Sequence, residues 1–204
     1  MQKNQGLFQN KCPKSIEKNI IYHLINYNKN RKILEKLPHI HYEDLAIVFR
    51  FVQKKVGQIN SVLIDCKMTE EWKMDEEDLW RCAKKNTPEM FPEKIESINE
   101  MFHRHKKNEE PALILSNQQG LYGAGVILYE DILKNLADRY GWNLFLLPIS
   151  IHEAMILFDR GQYVQEELLK IIQISNQTVV SENNFLSDNV YYYDRMDHEL
   201  FCLF

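Results

Sequence analysis

Little in this chain could form a long flexible tether. Its 204 residues include only 7 Gly and 6 Pro, and so few linker residues argue against extended disordered segments. Cysteine is scarce too. Cys12, Cys66, Cys82 and Cys202 form no C-x-x-C clamp and do not gather with His at zinc-ligand spacing. So few Cys in a chain of this size exclude a disulfide framework and read as buried free thiols in a reducing cytosol. No apolar run approaches the roughly 20 residues that cross a bilayer. The opening MQKNQGLFQNKCPKS lacks the apolar centre of a secretory signal. The expectation is a cytoplasmic protein without a membrane partner.

An excess of positive charge is also missing. Lys and Arg number 25 against 29 Asp and Glu, the net charge is -4 and the isoelectric point about 6.0. That gives no global electrostatic reason to bind nucleic acid. The basic pairs Arg31-Lys32, Lys54-Lys55, Lys84-Lys85 and Lys106-Lys107 each lie close to acidic residues and read as solvated faces. Neither G-x-x-x-x-G-K-[ST] nor G-x-G-x-x-G occurs, so no phosphate-cradling loop of standard form is present. No G-x-S-x-G elbow surrounds Ser116, Ser150, Ser181 or Ser187. No cofactor and no metal are expected.

What is present is apolar and aromatic. Hydrophobic residues make up 45%, with 10 Tyr, 10 Phe and 3 Trp. That suffices for one domain with a bulky core or two small ones. The run from Leu144 to Phe158 is the most apolar. It reads as two buried strands joined by a bend over Pro148 to Glu153.

The remaining elements follow from periodicity. Residues 1–18 are polar and without period, which predicts a flexible arm. Ile20 to Tyr27 reads as a strand. Asn30 caps a short helix from Arg31 that Pro38 stops. Leu45 to Val52 fits strand or helix, its β-branched and aromatic residues favouring strand. Gly57 and Asn60 mark a turn before a strand over Ser61 to Asp65. Asp75 caps a helix to Lys85, which Asn86-Thr87-Pro88 ends. Pro92 opens a second helix carrying Ile95, Ile98, Met101 and Phe102 on one side. Ala112 to Ser116 and Ala124 to Tyr129 read as strands flanking a turn over Asn117 to Gly120. A helix over Glu130 to Tyr140 ends at Gly141, and another spans Val164 to Ser175. Val190 to Tyr193 and Glu199 to Phe204 form a C-terminal hairpin.

A strand–strand–helix unit thus recurs over 45–85, 112–140 and 144–175. The fold class is α+β, a mainly antiparallel sheet with helices packed on one face. Helix 130–140 could instead cross between parallel strands, which leaves a mixed sheet open. Residues 19–204 read as one domain, with a possible subdivision near 104–111.

Several side chains carry candidate chemistry. His152-Glu153 pairs an imidazole with a carboxylate, the ingredients of general base catalysis. In an extended strand the two would point to opposite faces, so they cooperate only within a tight turn. The zinc motif H-E-x-x-H is absent, because position 156 is Ile. His39-x-His41 could share a metal if extended, whereas His103-x-His105 lies among lysines and reads as solvated. Asn117 sits in a turn, and Ser187-Asp188 reads as a turn or cap signal. Asn117, Ser187, Asp188 and Tyr192 are candidate binding residues. Alternation places Tyr191 and Tyr193 on one side of the hairpin and Tyr192 on the other, one set being core and the other an aromatic edge for a protein partner.

The segments NYNKNRKILEKLPHIHYEDLAIVFRFV, WKMDEEDLWRCAKKNTPEMFP, GAGVILYEDILKNLADRYGWNLFLLPISIHEAMIL and FLSDNVYYYDR resemble an uncharacterised domain-of-unknown-function family. That family is common in clostridial and other Firmicutes genomes and often rides on mobile elements. The likeness runs from about residue 20 to the end and leaves the first 18 residues outside. It implies no catalytic residue. The resulting expectation is a non-enzymatic interaction or regulatory protein of mobile-element origin, for example a phage-borne inhibitor of a host defence nuclease. The alternative is a hydrolytic enzyme using His152 and Glu153 at the strand bend.

Overall fold

The computed structural model describes residues 13–55, 58–98 and 112–204. Its elements are α1 (Lys14–Glu17), β1 (Ile20–Asn26), α2 (Arg31–Leu34), β2 (His39–Tyr42), β3 (Leu45–Lys55), β4 (Gln58–Leu63), α3 (Cys66–Trp72), α4 (Glu76–Met90), β5 (Glu93–Ser97) and β6 (Leu113–Asn117). A 3-10 helix (Gly123–Leu128) follows, then α5 (Ile132–Tyr140), β7 (Asn143–Ser150), β8 (Glu153–Asp159), α6 (Gln165–Thr178), β9 (Tyr191–Asp194) and β10 (Glu199–Cys202). The protein is α+β and its strand pairs are antiparallel.

The strands form two sheets. The first is built on β3, an 11-residue strand. Along one edge it pairs with all of β1, from Ile20↔Phe51 to Asn26↔Leu45. Its other edge is shared end to end: β2 takes Leu45 to Val48 and β4 takes Arg50 to Lys55. The second sheet runs β10-β9-β7-β8-β6-β5. One core cluster receives side chains from both sheets, among them Tyr22 and Phe49 from the first and Leu144, Ile156 and Tyr191 from the second. Helix α6 covers the opposite face of the second sheet, where Leu168 and Ile172 meet Phe145 and Leu157. Among the described residues, no helix is long and apolar enough to cross a membrane.

Several expectations are corrected. Ala124 to Tyr129 is no return strand but a 3-10 helix and its cap. The edges of β6 are already taken, by β5 and by β8, so no edge is left for such a strand. Gly125 lets the 3-10 backbone approach the Tyr22 ring, and the Tyr22 hydroxyl donates to the Gly125 carbonyl (3.1 Å). No parallel crossover through 124–129 exists, and the second strand–strand–helix unit is absent.

The helix expected to open at Pro92 is strand β5, paired from Glu93↔Asn117 to Ser97↔Leu113. Its charged residues, the exposed Glu93 and Lys94 and the half-buried Glu96, mimic a solvated helix face, yet they suit a short edge strand that must resist further pairing. Met101, Phe102 and the proposed subdivision at 104–111 lie outside the described residues, as do Gly57, residues 1–12 and Cys12. Asn60 lies inside β4 rather than in a turn.

Helix α4 continues through Asn86, Thr87 and Pro88 to Met90. Those residues dock β1 instead of ending the helix. Asn86 Nδ2 donates to the carbonyls of Glu17 (2.7 Å) and Ile20 (2.9 Å), and Thr87 Oγ1 accepts from the Tyr22 N–H (3.0 Å). Pro88, in the last turn of α4, removes one i→i−4 main-chain bond, with only two helical residues left beyond it. The three cysteines among the described residues are free but not buried: Cys66 is exposed at the start of α3, and Cys82 and Cys202 are half-buried.

The central hairpin β7–β8 forms as expected, with a sharper turn. Ser150 pairs with Glu153, so Ile151 and His152 alone make the bend. The register shifts between Leu147 and Ser150, and the shift accommodates Pro148. Proline is tolerated here because β9 pairs only with Leu144 to Leu146, leaving that edge of β7 free at position 148.

Candidate functional site

The His152 turn is clamped by main-chain and side-chain bonds. The Ile151 N–H donates to the Asn184 carbonyl (2.9 Å), and the Ile151 carbonyl accepts from the Ala124 N–H (3.3 Å). The His152 N–H donates to Ser150 Oγ (3.0 Å), and its carbonyl accepts from Ser116 Oγ (2.8 Å). Both hydroxyls are thereby committed to backbone groups. The imidazole is committed at one nitrogen: Nδ1 accepts from the Tyr122 N–H (3.2 Å). A ring that accepts at Nδ1 carries its proton on Nε2, which remains a donor. Glu153 begins β8 beside it, half-buried, and its carboxylate has no hydrogen-bond partner among the described residues.

Tyr122 links this turn to the first sheet. Its φ of 57° places a bulky residue in the left-handed region, which costs energy and marks sites held by their surroundings. The Tyr122 ring lies 6.1 Å from that of His152 and 4.3 Å from that of His23. The Arg50 guanidinium stands 5.1 Å from the Tyr122 ring centre. Arg50 and Ile21 are cross-strand partners, so Arg50 and His23 share a face of the β1–β3 pair. Arg50 Nε donates to Ser61 Oγ (2.8 Å) and Nη2 to the Ser61 carbonyl (3.0 Å).

His23 is 3% exposed, and its Nδ1 has no hydrogen-bond partner. Burial, reinforced by the positive charge of Arg50 and by His152, pushes its pKa down to about 3. Unfolding restores a value near 6.5. The unfolded chain therefore binds a proton that the folded chain refuses, and stability is lost as pH falls below ~6.5 toward 3. The expected slope from this group is about 1.4 kcal/mol per pH unit within that window. Urea titrations at pH 7, 6, 5 and 4 should show it, and His23→Phe should flatten the slope over the same range.

The other expected candidates lie elsewhere, held by the chain itself. Asn117 scaffolds its turn: Oδ1 accepts from the N–H groups of Gln119 (3.1 Å) and Leu121 (3.3 Å), and Nδ2 donates to the Leu121 carbonyl (2.7 Å). Ser187 is fully buried and donates to Asp44 Oδ2 (2.7 Å). Asp188 accepts from Asn176 Nδ2 (2.8 Å). The Tyr192 hydroxyl donates to Asp159 (2.7 Å) and accepts from Asn143 (2.9 Å). As alternation requires, Tyr191 and Tyr193 are core, while Tyr192 packs on the α6 side. His39 and His41 lie on β2, and their rings lie 5.9 and 4.1 Å from that of Tyr27. His103 and His105 lie outside the described residues. Among the described residues, no group of three or more His, Cys, Asp or Glu could hold a metal ion.

A second feature escaped sequence reading. Between α2, α3 and α4 lies an open hollow of about 620 Å³. Leu34, Leu37, Pro38 and Met74 line it with apolar surface, and Glu35, Asp75, Glu76 and Glu77 add acid. These carboxylates are exposed. Glu76 also accepts from the His39 N–H (3.2 Å), which ties the hollow to β2. The acidic first turn of α4 is favoured by the helix dipole, and Asp75 caps it by accepting from the Asp78 N–H (2.8 Å).

Fold and sites define an antiparallel two-sheet α+β protein with one histidine-centred polar cluster and one acidic hollow. The chain belongs to a family of unknown function, DUF5688, whose model matches residues 2–195. The match corrects the expectation that the first 18 residues fall outside, since it starts at residue 2, and it stops short of the last residues. No curated protein and no solved structure matches the chain.

Proposed function

We propose that this protein is a non-enzymatic interaction or regulatory protein that binds a basic surface of another protein. The observation carrying this reading is the hollow between α2, α3 and α4. Its apolar lining suits the aliphatic stem of a partner's Lys or Arg, and its carboxylates suit the charged head. The net charge of -4 adds long-range attraction for a basic partner. In its finer form, the proposal makes the partner a nucleic-acid enzyme, such as a host defence nuclease. The protein would inhibit it in the cytoplasm of a Firmicutes host, encoded on a phage or other mobile element.

The competing reading, a hydrolytic enzyme using His152 and Glu153, has weaker support. The nearby Ser116 and Ser150 hydroxyls serve main-chain groups of the turn, and Nδ1 of His152 is already an acceptor.

The test pairs the full chain with its Glu35→Gln/Glu77→Gln variant, which spares the Glu76–His39 bond. Tagged wild type is used in the native host to recover a basic protein, and affinity is then measured with the purified partner. Binding should weaken about tenfold in the variant and fall further as salt rises above about 0.15 M. Recovery of no basic partner, or equal affinity of variant and wild type, would refute the proposal.

A further inference from the structure

The face of the β1–β3 pair that carries Ile21 and Val52 is apolar at both ends. Ile21 and Val52 pack with Phe91 at one end, and Ala46 and Val48 pack with Leu34 and Leu37 at the other. Its middle is polar, holding His23 and Arg50. Packing alone favours a Leu and a Val there. A buried imidazole with an unpartnered nitrogen costs free energy that an apolar side chain would not. A bulky residue held at φ 57° adds to that cost. Such local losses are characteristic of sites kept for binding.

We propose that His23, Arg50, Tyr122 and His152 form a binding site for a small anionic group, a carboxylate or a phosphate. Arg50, His23 and His152 gather around the Tyr122 ring. Arg50 uses Nε and one Nη2 hydrogen on Ser61, leaving three of its five N–H groups without a partner among the described residues. The Nε2–H of His152 and the hydroxyl of Tyr122 likewise have none. His23 Nδ1 lies buried against the same ring. Arg50, Tyr122 and His152 are half-buried, while His23 is buried.

Arg50 forms no ion pair among the described residues, and the groups acting on His23 are Arg50 and His152, with no carboxylate among them. A planar guanidinium beside an imidazole N–H and a phenol O–H matches the oxygens of a carboxylate or a phosphate monoester. The cluster is assembled from β1, β3, the residue before the 3-10 helix and the β7–β8 turn, so a bound anion would brace both sheets. This site is independent of the acidic hollow and does not require the interaction reading to hold.

The experiment uses the full chain. Melting temperature and imidazole NMR shifts are followed against inorganic phosphate, O-phosphoserine and acetate at fixed ionic strength, with chloride as the balancing ion. At least one probe should give saturable shifts at His23 and His152, together with a raised melting temperature. Response to phosphate and phosphoserine assigns a phosphate ligand; response to acetate assigns a carboxylate. Arg50→Gln should weaken the response about tenfold. His152→Asn keeps an acceptor for the Tyr122 N–H while deleting Nε2–H, and it should weaken the response about threefold; it carries the test if Arg50→Gln does not fold. The absence of a saturable response to all three probes, or an undiminished response in the variants, overturns the assignment.

Discussion

Gly123→Ala should be the most damaging Gly→Ala change among the described residues, lowering unfolding free energy by about 3 kcal/mol or more. Flexibility of the glycine is not the reason, since its φ is not in the left-handed region. A Cβ there would overlap Ser116 Oγ and the His152 carbonyl and stand 2.8 Å from the Asn117 N atom. Two of these three atoms belong to the backbone, which gives way at much higher cost than the tip of a side chain. The Ser116–His152 bond that clamps the turn runs through this point, so relief would require moving β6 away from the β7–β8 turn. Urea denaturation measures the loss, and Gly120→Ala is the informative comparison. Gly120 has space around it but a φ of +64°, so its replacement should cost only about 1 kcal/mol of backbone strain. A Gly123→Ala loss no larger than that would mean the turn is not packed as described.

The contrast between those glycines shows where the sequence could be read and where it could not. Long elements with one strong period were legible: β1, the β7–β8 hairpin, α5 with its Gly141 cap and α6. Leu45 to Val52 was ambiguous in isolation, and only pairing on both edges of β3 settles it as strand. Elements whose character depends on distant neighbours were misread. β5 looks helical because its charged residues suit any solvated surface, and it is a strand because β6 offers an edge. Residues 123–128 have strand composition but meet no free edge. The polar cluster was half legible. His152 drew attention through its neighbour Glu153, yet its ring is held by Tyr122, whose own ring meets His23 and Arg50. These come from separate elements, so no local spacing could reveal them. Nor could composition show that Tyr122 adopts a left-handed φ. The one available signal was a His and an Arg interrupting otherwise apolar strands.

Asp44→Ala should destabilise by about 3 kcal/mol, although Asp44 is an unremarkable turn residue in sequence. It follows Glu43, whose left-handed φ of 54° makes the two-residue turn between β2 and β3. From there its carboxylate reaches the second sheet. Oδ1 accepts from the Tyr191 hydroxyl and Oδ2 from Ser187 Oγ (2.7 Å). Asn26 Nδ2 stands 3.5 Å from Oδ2 and donates to the Leu186 carbonyl (3.0 Å). Tyr191 and Ser187 are fully buried, so removing the carboxylate strands two hydroxyls without an acceptor. That penalty exceeds the net worth of the bonds themselves. Tyr191→Phe removes one donor cleanly and should cost about 1 kcal/mol. The double variant should then cost less than the sum, with a coupling of about 1–2 kcal/mol. The alkaline limb supplies a separate check. Burial, and then the Asp44 charge, raise the Tyr191 pKa far above its ordinary value near 10. The unfolded chain releases this proton above pH ~10 and the folded chain keeps it, so stability is lost as pH rises beyond that point. Tyr191→Phe should flatten that loss. If Asp44→Ala costs under about 0.5 kcal/mol, or the cycle shows no coupling, the carboxylate is only a solvated turn residue and does not tie the two sheets together.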